Sequence, residues 1–485
     1  MEMERLGNYI NGEWMASKSK RIVAVENPGT GEILTQVPMA TRNEVDLAVE
    51  SARRAFEEWK EVPVTERVSY LFKLKILLEE HLEEIATLTT KEHGKTLDEA
   101  RGDTRRLLEN VDAALGIPSL MQGNILWRIT PEIDEYFVRE PLGVFASISP
   151  FNFPGMIPFW YLPYAIALGD TFIVKPSEQT PLTMTRIFEI IDEVGFPKGV
   201  LSLLHGDKET VDAVLEHPDI AGICSVTSTP TAEYIYEKCG QYKKRPLCQA
   251  GAKNYLVVMP DAVLARAAPN IINSFFGNAG ERCLAGGNLV AVGNVYDKLL
   301  EAVQGEVAKI KVGYGLEPQT TMGPVISQRA KERIERHIQT GIEEGARLLI
   351  DGRSIKVENY PAGYYLGPSV FVETNPGMTI CKEEVFGPVM SIIRTRDLDE
   401  AIDMINTAVD YGNTATIYTS SGRASQTFQR GANCGMVGIN IGVVAPVAWF
   451  PFAGKRKSFF GISHGQLPDV IDFFTDKKVV IKRWW

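Results

Sequence analysis

The run VFASISPFNFPGMIPFWYLPYAIALGDTFIVKPSE, residues 144–178, decides the fold. It opens with a short apolar stretch, 143–149, and closes with a second, Thr171–Lys175. Both have the length and β-branched or aromatic content of buried strands. From 141 through 169 there is no charged residue. A membrane span would need such a run, but Pro150, Pro154, Pro158 and Pro163 interrupt it and break a helix repeatedly. The reading is a buried strand followed by an irregular, deeply packed turn. After Lys175 the alternation continues. A helix carries Ile187, Ile190, Ile191 and Val194 and stops at Gly195; strands follow at 200–204 and 221–226, and helices at 210–216 and 231–239. Repeated strand–helix units of this kind predict a parallel sheet covered on both faces. Ligands on such sheets bind beyond the carboxyl ends of the strands.

Outward from this core, the N-terminal third reads as helical. Thr41 and Glu44 fit a capping box ahead of Val45, Val49, Ala52, Phe56 and Trp59. Val68, Leu71, Leu74, Leu78, Leu82 and Ile85 mark a second amphipathic helix. A second α/β series starts near Tyr255, with strands at 255–259 and 288–292 flanking a helix that ends near Gly280. Helices follow at about 296–310 and 328–345. No low-complexity linker separates the two series. The tail, Asp469 to Trp485, alternates through Val479, Val480 and Ile481. Its exposed apolar residues predict pairing with another subunit.

A chain of 485 residues with 45% hydrophobic and 23% charged content is ordinary globular material. Its net charge of −10 excludes a general nucleic-acid binder. Cysteines at 224, 239, 248, 283, 381 and 434 show no C-x-x-C spacing, and histidines are few. That argues against a zinc site and for free thiols in a reducing compartment, the cytoplasm. Met1 to Trp14 lacks the apolar core of a signal peptide.

Four clusters can do chemistry. Cys283, in FFGNAGERC, sits on a Gly-rich turn where Arg282 would favour the thiolate; the bland alternative is an inert core thiol. Asn152, in PFNFP, offers a carboxamide N–H to an oxyanion, or merely satisfies a turn. Lys175 and Glu178, in KPSE, follow a strand and suit ribose hydroxyls. Glu384 and Phe386, in EVFGP, place a carboxylate beside an aromatic. Each is weak alone.

Together and in this order, FNFP, KPSE, GAKN at 251–254, GERC and EEVFGP at 383–388 resemble the aldehyde dehydrogenase family over essentially the whole chain. The resemblance implies two Rossmann-like parallel-sheet domains and a small β bridging element. Residues 1–122 and 142–249 would form the NAD(P)-binding domain, 250–450 the catalytic domain, and 123–141 with 466–485 the oligomerisation element of a homotetramer or homodimer. It also implies that Cys283 attacks the aldehyde and forms a thioester, with Asn152 and the Cys283 backbone N–H holding the oxyanion. Ser149, Phe151, Lys175, Glu178, Ser228, Glu384 and Phe386 would contact NAD, and Glu178 would repel the 2′-phosphate of NADP.

Two departures stand out. Gln249 (CQAGAKN) replaces the glutamate that activates water in most members, and glutamine cannot take a proton. The methylmalonate-semialdehyde dehydrogenase branch, which also lacks it, releases its acyl group to coenzyme A. HGDKETVDAVLEHPDI, STPTAEYIYE and the late SFFG resemble that branch. Arg106 and Arg282 match two arginines assigned there to the substrate carboxylate, although Arg106 also reads as a surface charge near Asp103 and Glu109. Second, Thr227 and Ala232 stand where the branch has glycines, and would crowd the cofactor pyrophosphate. The expected activity is NAD-linked oxidation of malonate or methylmalonate semialdehyde with coenzyme A as acceptor, without metal, membrane or nucleic acid. The rivals are a hydrolysing dehydrogenase of a small aldehyde such as glyceraldehyde, and a silent or merely esterase-active relative that no longer binds NAD.

Overall fold

The computed structural model describes residues 5–485. The first four residues, which open both the segment expected to lack a leader and the first expected domain, lie outside the described residues. The stretches 144–148 and 171–175 are fully buried strands, paired in parallel with Val144 opposite Thr171 and Ile148 opposite Lys175. They sit at the centre of an eight-stranded sheet. Five neighbours, Leu201–Leu203, Thr171–Lys175, Val144–Ile148, Ile220–Val226 and Arg245–Gln249, run parallel. The chain goes from Val144–Ile148 to one side first and then crosses to Ile220–Val226 on the other. That reversal opens a crevice at the carboxyl ends of the two strands, where open parallel sheets take their ligands.

Antiparallel strands close both edges. A hairpin of Asn8–Ile10 and Glu13–Met15 pairs beside Leu201–Leu203. Phe459–Gly461, from near the far end of the chain, pairs with Arg245–Gln249. The second sheet has seven strands around Asn254–Val258, with Gly286–Val292 on one side and Thr414–Tyr418 on the other. Its core runs from Tyr255 to Cys434 and is separate from the two that cover the first sheet. So the two α/β series are real and in tandem; at the cleft where they meet, a pocket on the side of the second unit is lined by 252–254, Gly280, Arg282, 285–287, 384–387 and Val389.

Several expectations need correction. Helix Arg42–Trp59 does begin at a Thr41–Glu44 capping box, but the second helix ends at Glu80 and a new one, Leu82–His93, begins after His81. Apolar periodicity runs through the break, so the pattern gave no warning. The proline-rich run is less irregular than expected: Met156–Phe159 and Leu162–Leu168 are short helices, the latter with its proline in the first turn, where a missing N–H costs nothing. Among the described residues no helix is long and apolar enough to cross a membrane.

The tail strand finds a partner on one side within its own chain. Residues Asp469–Phe474 form a helix, and Thr475–Arg483 pairs over nine residues with Ile133–Pro141 of the same chain. Ile125–Thr130 completes this three-stranded antiparallel sheet. Pairing uses the backbone, and the side chains of Ile125, Leu126, Trp127, Val479, Ile481 and Trp484 remain exposed.

Candidate active site

Cys283 lies on a turn with unusual backbone. The preceding helix ends at Phe276, four residues before the expected Gly280. Asn278 (φ 54°), Ala279 (φ 51°) and Gly280 (φ 74°) then follow in the left-handed region. Only glycine adopts that region freely, so two non-glycine residues there store strain. A Cβ at Gly280 would stand 2.2 Å from the Gly387 carbonyl oxygen, so the turn abuts the EVFGP segment. Asn254 and Asn413 both donate to the Cys283 carbonyl, at 2.8 and 2.9 Å. Of the six free cysteines, Cys283 alone is not fully buried.

The thiol is not activated as the sequence suggested. Burial pushes the Cys283 thiol up to about 12, the Glu384 charge adds to this, and Arg282 opposes it only weakly. Burial likewise lifts the Glu384 carboxyl to about 7. Its Oε1 accepts from the Ala252 N–H at 3.0 Å. Desolvation and the Glu384 charge together outweigh one neighbouring cation here.

Asn152 is brought to this turn. Its Nδ2 donates to the Glu281 carbonyl at 3.0 Å, two residues before the cysteine. One N–H of the carboxamide is spent this way. Lys95, which sequence reasoning missed, fixes the Asn152 backbone by donating to its carbonyl at 2.7 Å. Lys95 is buried, paired with Asp103 at 3.4 Å and set over the Phe153 ring. A buried lysine needs such partners.

The crevice of the first sheet gathers the proposed cofactor residues. Ser149 follows Val144–Ile148, and its buried hydroxyl has no hydrogen-bond partner among the described residues. Lys175 ends its strand and reaches the Gly206 carbonyl at 2.7 Å and Glu178 at 3.5 Å. Ser228 is exposed at the start of helix Thr229–Gln241, its hydroxyl 3.1 Å from that of Thr231. Phe151 meets Phe386 edge-on at 5.8 Å, so the two loops touch across the cleft. An orphan hydroxyl, a lysine and a helix start at adjacent strand ends fit a dinucleotide. Thr227 stands at this rim, partly exposed. Ala232 does not. Its side chain is fully buried in the core under the sheet, so it acts on helix–sheet spacing and not on a pyrophosphate.

Gln249 ends strand Arg245–Gln249 and is 2% exposed. Its Nε2 donates to the Phe452 carbonyl at 2.7 Å. Arg106 pairs with Glu109 at 2.7 Å and reaches the Pro446 carbonyl at 3.4 Å. Arg282 pairs with Glu99 at 3.1 Å. Both arginines are thus held by carboxylates of this chain.

Two further groups behind the nucleophile escaped the sequence reading. Glu281 is fully buried, and burial raises its carboxyl to about 8. His93 is buried with its Nε2 3.9 Å from Glu281 Oε2, and neither atom has a hydrogen-bond partner among the described residues. Burial drives the His93 imidazole well below its usual value, so both groups are neutral; Nδ1 accepts from the Lys95 N–H at 3.3 Å, which leaves the ring proton on the Nε2 that faces Glu281. Glutamate inside GERC was the available signal. Nothing marked His93, since its partner lies far along the chain. Among the described residues no cluster of His, Cys, Asp or Glu could hold a metal ion.

The chain matches known proteins along its length. The family model described as the aldehyde dehydrogenase family covers residues 14–480. Malonate-semialdehyde dehydrogenase 2 of Geobacillus thermodenitrificans is 46% identical, over 99% of each chain. A crystal structure of a candidate methylmalonate-semialdehyde dehydrogenase from Sinorhizobium meliloti, complexed with NAD, superposes with a TM-score of 0.98 at 40% identity, covering 99% of this chain and 98% of that one. The methylmalonate-semialdehyde dehydrogenase of Oceanimonas doudoroffii gives 0.97 at 38%, over 99% of both. A family match spanning both sheets and the nucleophile turn places this chain in the aldehyde dehydrogenase family.

Proposed function

We propose that this aldehyde dehydrogenase oxidises a short semialdehyde of the malonate or methylmalonate type with NAD, and passes the acyl group from Cys283 to coenzyme A. One observation carries the acceptor: Gln249 stands where a water-activating carboxylate is expected, and its amide is spent on the Phe452 carbonyl. Nothing at that position can take a proton from water. The relatives' names and the NAD complex of one of them support the substrate class and the cofactor.

In this reading the Cys283 sulfur attacks the aldehyde carbon, and the second N–H of Asn152 with the Cys283 backbone N–H receives the oxyanion. NAD, when bound, supplies the two-electron acceptor and a cationic ring whose charge favours the thiolate. The thioester then left on Cys283 is attacked by the coenzyme A thiol. The Cys283–acyl bond breaks, acyl-CoA leaves, and the protein thiol is restored. Ser149, Phe151, Lys175, Ser228 and Phe386 hold the dinucleotide with Glu178 and Glu384, and the charge of Glu178 favours NAD over NADP. Arg106 and Arg282 hold the substrate carboxylate. Residues 1–122 and 142–249 serve as the cofactor domain and 250–450 as the catalytic domain. The exposed apolar face of the three-stranded sheet (123–141 with 466–485) joins subunits into a homodimer or homotetramer. Free thiols throughout suit the cytoplasm.

The existing ion pairs of Arg106 and Arg282 favour a second reading, an uncharged aldehyde such as glyceraldehyde, hydrolysed to the acid. Comparing kcat/KM for malonate semialdehyde and glyceraldehyde decides between them. A higher value for glyceraldehyde would overturn the proposed substrate.

A further inference from the structure

The carboxylate of Glu99 does more than its own helix needs. Glu99 is the third residue of helix Leu97–Leu115, and its Oε2 completes a capping box, accepting from the Thr96 N–H at 3.0 Å and the Thr96 hydroxyl at 2.9 Å. A capping box uses one oxygen. The other, Oε1, crosses to the second α/β unit, where it accepts from the Asn278 N–H at 2.5 Å and from Arg282 Nη2 at 3.1 Å. Asn278 opens the left-handed run that leads to Cys283, and such a run persists only where its surroundings hold it. Arg282 immediately precedes the nucleophile. On the helix side, Arg106 lies two turns beyond Glu99. Little solvent reaches the bridge: the Glu99 and Arg282 side chains are 16% and 13% exposed.

We infer that Glu99 is a positioning residue that clamps the nucleophile turn to the helix bearing Arg106 and fixes the direction of Arg282. The inference deepens the proposed function, since the substrate role of Arg282 rests on that reading. Its chemistry is specific to a carboxylate. Glutamine has one carbonyl oxygen, so it can serve the cap or the bridge, but not both; its NH2 would face donors on the side it abandons.

The test uses the full chain with Glu99→Gln, and Thr96→Ala as a variant that damages the cap and leaves the bridge. Two quantities are read: the alkylation rate of Cys283 by iodoacetamide, followed by peptide mass, and KM and kcat for malonate semialdehyde and propionaldehyde with NAD and coenzyme A. Glu99→Gln is expected to raise KM for malonate semialdehyde about tenfold more than for propionaldehyde, the order of one charge-assisted hydrogen bond. It is also expected to speed Cys283 alkylation about fivefold or more, because a loosened turn relieves the burial that keeps the thiol protonated. Thr96→Ala should lower the thermal midpoint and move neither quantity. Identical kinetics in the two variants would overturn the inference. If the wild type fails to oxidise malonate semialdehyde, the substrate reading falls, and alkylation still decides the role of Glu99. Glu99→Asp, one methylene too short to span cap and bridge, carries the same expectation and serves if the glutamine variant does not fold.

Discussion

Replacing Gln249 by glutamate tests whether a structural hydrogen bond has displaced a catalytic base. In the wild type the Nε2 donates to the Phe452 carbonyl at 2.7 Å, and the side chain is 2% exposed. A carboxylate there has no proton to donate, so two acceptors face each other. Losing the bond and stranding the Phe452 carbonyl costs about 1–3 kcal/mol, roughly a few degrees of thermal midpoint in a chain of this size. The same change supplies a base. Burial in this cleft already lifts the Glu384 carboxyl to about 7, and a general base works best with a pKa near the operating pH. General-base assistance contributes about 10²–10⁴-fold. Because the new carboxylate must turn away from Phe452 to reach water, the low end, about 10²-fold, is expected for acid formation without coenzyme A. The assay is a single turnover with NAD and malonate semialdehyde, quenched in acid, with the Cys283 thioester followed by mass and free malonate by chromatography. Gln249→Glu should shorten the thioester lifetime and lower the thermal midpoint together. An unchanged lifetime with an unchanged midpoint would refute both the anchoring role and the missing-base argument.

Cys283→Ser should abolish turnover while NAD binding, read by fluorescence titration, survives; full retained activity would remove the nucleophile assignment. Arg106→Ala should raise KM for malonate semialdehyde about tenfold or more, the order of a bidentate carboxylate contact, with little change for propionaldehyde; equal losses would make the arginine structural. Glu281→Gln bears on pH. The Glu281 carboxyl is raised to about 8 by burial, against about 4.3 in an unfolded chain. The folded state therefore holds this proton more tightly, so the stability Glu281 contributes is full below about pH 4.3 and is lost as pH rises toward 8. Glutamine carries no such slope, so the thermal midpoint of Glu281→Gln relative to wild type should climb between pH 5 and pH 8.5, and parallel curves would show that the carboxyl is not buried in its neutral form.

Much of the fold was legible because its central strands are short, apolar and bounded by turns. Residues 144–148 and 171–175 sit where the pattern put them, and Gly195 does end its helix in the left-handed region. The break at His81 was invisible, because apolar spacing runs through it. The tail strand was legible as a strand, yet its partner, Ile133–Pro141, lies more than three hundred residues away, a pairing that local pattern cannot specify. The site divides in the same way. Cys283, Asn152 and Glu384 stand out because they interrupt apolar or Gly-rich stretches at strand and helix ends. The Lys95–Asp103 pair, the Glu99 bridge and the His93–Glu281 contact depend on packing between elements distant in sequence. The raised pKa of the Cys283 thiol was also beyond the sequence, since adjacent Arg282 suggested the opposite sign, whereas burial and the Glu384 charge outweigh it.

In the proposed reaction the acyl group on Cys283 leaves to a thiol and not to water. NADH formation from malonate semialdehyde, measured with and without coenzyme A while acyl-CoA is assayed, tests it most directly. Strong dependence on coenzyme A is expected, with acyl-CoA formed in step with NADH. Equal rates without coenzyme A, with free acid as the product, would contradict it.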